Sequence, residues 1–142
     1  MPVTPSLLER LVAALPTRLP NAAWRRGEDG RSLVFPAASE DFGDLVVSGD
    51  PHAPELVVDF GRFTHGHFDC HEDGLSVDAR DGIIVARVLD CLDDVFADRL
   101  EFYGSHAGFG GSRPRGTQGR LSKFLIGDQA FVWSGRRDAA DG

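Results

Sequence analysis

The chain has 142 residues, 42% apolar and 26% charged, with a net charge of −7, the make-up of one globular domain with its own core, which excludes a disordered or collagen-like chain. Two cysteines, Cys70 and Cys91, are too few for a disulfide scaffold and form no CxxC pair, and no window approaches ~18 consecutive apolar residues, which excludes a disulfide-stapled mini-domain and a membrane-spanning helix. From Glu40 to Glu101 there are 16 acidic residues against four arginines, a strongly negative middle third that disfavours nucleic acid and favours encounter with a basic protein.

The first predicted element is a helix over residues 6–15, because Ser6-Leu7-Leu8-Glu9 has the S-x-x-E form of a capping box and Leu7, Leu8, Leu11, Val12 and Leu15 follow at helical spacing up to Pro16. Glu9 and Arg10 interrupt that apolar run, so it does not read as a signal peptide, and a cytoplasmic protein is expected. Residues 23–26 and 32–35 flank Gly27-Glu28-Asp29-Gly30 and predict a hairpin. Further strands are expected over 42–48, 56–60 and 63–69, in an antiparallel meander, with a short one over 75–77.

The period then changes. Ile84, Val88, Cys91, Leu92, Val95 and Phe96 mark one face of a helix over 82–98, with Asp78 or Asp81 as N-cap. A strand is expected over 100–103, then a mobile loop over 104–120, where six glycines and three arginines leave almost no apolar periodicity. Residues 121–126 and 130–133 resume apolar runs that suit a hairpin, and 136–142 read as a flexible tail. The expected architecture is a single α+β domain over 1–135, with an antiparallel sheet of about six to eight strands and both helices on one face.

Two constellations carry chemistry. In Thr64-His65-Gly66-His67-Phe68-Asp69-Cys70-His71, the two-residue period of a strand puts His65, His67 and Asp69 on one face. Two imidazoles at i and i+2 can chelate zinc, with Asp69, His71 or His52 completing the set; the alternative is a pair of solvent-facing histidines. The second is the crowding of Asp90, Asp93, Asp94 and Asp98 toward the end of the second helix, where carboxylates oppose the macrodipole at about 0.3–1 kcal/mol each. Together with Glu72 and Asp73 they are candidates for an acidic surface that meets a basic partner, the alternative being an ordinary solvated face.

Enzymatic motifs find no support. The glycine-rich stretch has neither G-K-[ST] nor G-x-G-x-x-G. Gly104-Ser105-His106-Ala107-Gly108 places its serine one position early for a nucleophile elbow. The Thr64 to Phe68 stretch, with Phe96-Ala97-Asp98-Arg99 closing the second helix, resembles small acidic bacterial proteins, some of which are immunity partners of secreted toxins. That resemblance spans residues 55–103, implies a cytoplasmic protein that binds a cognate partner, and carries no catalytic residue. The expectation is therefore a non-enzymatic binding protein of immunity or adaptor type, with a metal-binding domain or metal-dependent enzyme centred on His65 and His67 as the alternative.

Overall fold

A computed structural model of the chain describes residues 6–40, 42–49, 54–61, 64–104, 110–114 and 129–135. The expected strands over 121–126, the tail over 136–142 and the candidate ligand His52 lie outside the described residues. Helix α1 (Leu7–Arg18) starts as the capping box predicts, with the Ser6 hydroxyl accepting from the Glu9 amide at 3.2 Å. It runs three residues past the expected stop, carrying Pro16 in its last turn. Only one intrahelical N–H is lost there, and the Leu19 amide donates back to the Leu15 carbonyl, so the buried Leu11 and Leu15 hold the final turn in place.

Strands β1 (Arg25–Arg26), β2 (Ser32–Phe35), β3 (Leu45–Gly49), β4 (Leu56–Phe60) and β5 (Thr64–Phe68) pair antiparallel in chain order, forming the expected meander. Register aligns Leu33, Val47, Val58 and Gly66 across the sheet, and the three aliphatic side chains are buried. Helix α1 and helix α2 (Val77–Phe96) pack against each other and onto that face. The other face carries Asp59, His65 and His67 into solvent, with Val46 and Val57 half-buried between the strands. The result is an α+β fold with helices on one side of an antiparallel sheet.

Helix α2 begins five residues earlier than its apolar spacing suggests. Ser76 is the N-cap, accepting from the Ala79 amide at 3.1 Å, so Leu75 to Val77 is no strand and neither Asp78 nor Asp81 is the cap. Asp81 is instead buried one turn in, 3.1 Å from the Arg80 guanidinium, while Arg10 of α1 reaches Asp78 at 2.6 Å. Gly82 reads locally as a breaker, yet it lies exposed on the solvent side of α2 and costs the helix only about 1 kcal/mol. Removing the cap with Ser76→Ala is expected to lower stability by about 1 kcal/mol in urea unfolding, with the denaturant slope unchanged.

A second sheet has the order β7-β6-β8, from β6 (Leu100–Gly104), β7 (Gly110–Pro114) and β8 (Gln129–Phe131). The expected loop over 104–120 thus contains a strand, paired from Leu100↔Pro114 to Gly104↔Gly110. Glycine lacks an apolar side chain to signal a strand, but it keeps the N–H and C=O that a ladder needs. Phe102, fully buried, joins this sheet to the main core, with its ring 5.1 Å from Phe60 and 4.9 Å from Phe42.

Candidate functional site

The two-residue period of β5 places His65 and His67 side by side on the helix-free face, with ring centroids 5.1 Å apart at 77°. Gly66 between them faces the core, where an added Cβ would stand 3.3 Å from the Phe68 ring and 3.4 Å from the Phe60 ring. Across the ladder, Asp59 is the partner of His65 and Val57 that of His67. Glu55, on the same side two residues before Val57, lies with Oε1 3.2 Å from His67 Nδ1.

Asp69, expected on the face of the two histidines, lies beyond the end of β5 and pairs with His71 at 3.0 Å. The carboxylates that do accompany the imidazole pair are Glu55 and Asp59. Cross-strand register supplies them, and local spacing around the histidines gives no sign of it. As the side chains lie, no three such groups among the described residues are placed to hold a metal ion.

The aspartates of α2 have internal partners. Arg18 of α1 donates to Asp90 at 2.6 Å, and Arg99 folds back to reach Asp93 and Asp94, both at 2.7 Å. Arg99 thereby brings positive charge to the C-terminal end of the helix, where it offsets both the carboxylates and the dipole. Asp98 adopts a left-handed conformation with φ 60° and accepts from the Ser134 amide at 3.0 Å and from its hydroxyl at 2.6 Å. Asp90, Asp93 and Asp94 thus have arginine partners, with Arg99 shared between two carboxylates, and Asp98 has a neutral one.

Glu72 and Asp73 differ. They are exposed in the connection between β5 and α2, and no arginine or lysine among the described residues pairs with either. Next to them stand Leu75 and Val77, the exposed large hydrophobic residues among those described, at 37% and 54% of full exposure. Residues 72–77 therefore join an apolar pair to an uncompensated acidic pair, a combination that composition alone does not reveal.

A cleft of about 440 Å³ lies between the end of α1 and the end of α2, lined by Leu19, Pro20, Phe35, Phe96 and Trp133. Its charged members, Arg18 and Asp93, are already held in ion pairs and Asn21 is the other polar side chain in its lining, so no free charged group among the described residues gives the cleft a ligand chemistry. Away from the cleft lining, burial first, and then Asp94, push the Cys91 thiol up to about 11, so it stays protonated near neutral pH. No helix among the described residues is long and apolar enough to cross a membrane. Compared with known proteins, the chain matches no family model, no curated protein and no solved structure.

Proposed function

We propose that the chain is a non-enzymatic binding protein of immunity or adaptor type that recognises a basic protein, and that the connection between β5 and α2 is the recognition surface. One observation carries this reading: Glu72 and Asp73, without arginine or lysine partners among the described residues, adjoin the exposed Leu75 and Val77. Protein interfaces place apolar contacts at their core within a polar rim, while the charges set encounter rate and partner choice. Ser76 caps α2 between the two apolar side chains, which anchors the helix end of the segment before any partner arrives. That lowers the ordering cost of association. The carboxylates of α2 contribute less, because a partner's cations would have to displace Arg18 and Arg99.

The test uses a photoreactive residue at Leu75, and separately at Asp90, in lysate of cells that naturally express the chain. A specific adduct with a basic protein is expected from position 75 and not from position 90. With that partner purified, Glu72→Lys combined with Asp73→Lys is expected to weaken binding at least tenfold, and 300 mM salt to slow association relative to 50 mM. Asn at Asp90, Asp93 and Asp94 is expected to change affinity less than twofold. Adducts from position 90 alone, or binding indifferent to the double lysine change, would overturn the assignment.

A further inference from the structure

We propose that His65 and His67 form a two-imidazole site for a zinc-like divalent ion on the solvent face of β4 and β5, with Asp59 as third ligand and Glu55 as the outer carboxylate that orients His67. Imidazoles bound to one tetrahedral ion at Zn–N ~2.0–2.1 Å have ring centroids about 5 Å apart. The pair stands at 5.1 Å, which matches that spacing.

Glu55 supports the same chemistry. An ionised carboxylate only accepts hydrogen bonds, so at 3.2 Å from Glu55 Oε1 it is His67 Nδ1 that carries the proton. In the neutral imidazole Nε2 is then the lone-pair nitrogen and is free to ligate. A carboxylate holding the far nitrogen of a metal-binding histidine fixes its tautomer and raises its basicity.

Asp59 is exposed, and as the register partner of His65 it has its Cβ only about 4.5–5.5 Å from that residue's. Three donors do not yet converge, so the Asp59 side chain turns to join the imidazoles and water completes the shell. The backbone needs no rearrangement, because the Phe60 and Phe68 rings against Gly66 keep both histidines facing outward. Asp69 and His71, already paired with each other at 3.0 Å, stay outside the site.

Untagged, metal-free protein titrated calorimetrically with zinc chloride at pH 7.5 tests this. One ion per chain is expected. His65→Ala and His67→Ala should each weaken binding at least a hundredfold, Glu55→Gln roughly tenfold, and His71→Ala not at all. The three histidines are exposed and Glu55 is partly buried, with 23% of its side chain open, and circular dichroism checks that each variant is folded. In the wild-type chain, NMR of the imidazole nitrogens should show zinc shifting Nε2 of His67 and a nitrogen of His65, which needs no variant. Absence of stoichiometric binding, zinc shifts confined to other histidines, or a loss as large with His71→Ala as with His67→Ala would overturn the site. The readout requires no protein partner, and the double lysine change at Glu72 and Asp73 should leave it intact, so either proposal can fail alone.

Discussion

Phe102→Ala should cost about 3–5 kcal/mol, a large part of the roughly 5–15 kcal/mol that holds a domain of this size folded. Phe102 is fully buried on the central strand of the second sheet, and its ring is a link within a continuous aromatic path through the molecule. From Phe60 the path runs to Phe102 at 5.1 Å, then to Phe42 at 4.9 Å and Trp133 at 5.2 Å. It continues to Phe96 at 5.1 Å and ends at Phe35, a further 5.3 Å on. Truncation leaves a cavity in the middle of this path, and rings fixed by neighbours on β4 and α2 cannot collapse into it. Phe102→Leu, which keeps most of the volume, should cost only about 1–2 kcal/mol. Urea unfolding measures both, and a cost under about 1.5 kcal/mol for the alanine would mean that the second sheet adds little to the core.

Gly61→Ala should be nearly as damaging, at about 3 kcal/mol or more, through two separable effects. Gly61 ends the turn side of β4 with φ +57°, where a side chain costs about 1–2 kcal/mol. In addition, a Cβ there would overlap the Phe42 carbonyl oxygen and stand 2.9 Å from the carbonyl carbon and the ring. Phe42 cannot retreat, being fully buried between Phe102 and Trp133. Gly30 is the control: its φ is +72° but nothing lies within 4 Å of an added Cβ. Gly30→Ala should therefore cost only about 1–2 kcal/mol, and the difference between the two glycines isolates the overlap. Equal costs would show that the backbone angle alone decides.

The consequences for function differ between these sites. Gly61 directly follows β4, to which β5 is paired, so its displacement would shift the strands that present His65 and His67, whereas the capping group at Ser76 anchors the start of the helix beside Leu75 and Val77. Metal affinity and partner affinity should respond to different substitutions for that reason.

Periodicity made much of this architecture readable in advance. The leucines of α1, the Ile84 to Phe96 stripe of α2, the hairpin around Gly27 to Gly30 and the strand Leu56–Phe60 each declare themselves, because burial on one face imposes a repeat of 3.6 or 2 on neighbouring residues. The same repeat sets His65 and His67 on one face. It failed where the deciding partner carries no apolar signal: Ser76 begins α2 through a side-chain hydrogen bond, and β7 is held through backbone groups of a glycine-rich stretch.

The candidate sites depended still more on contacts between distant segments. Arg18 and Asp90 are 72 residues apart, yet their ion pair turns an apparently free carboxylate into part of the contact between α1 and α2. Glu55 and Asp59 reach the histidines only through the register of β4 on β5, and Asp69 leaves them because the strand ends at Phe68. The order of residues determined which faces are apolar and where negative charge is plentiful. Folding decided which charges are compensated, since attraction between ions falls with a separation in space that position along the chain does not specify.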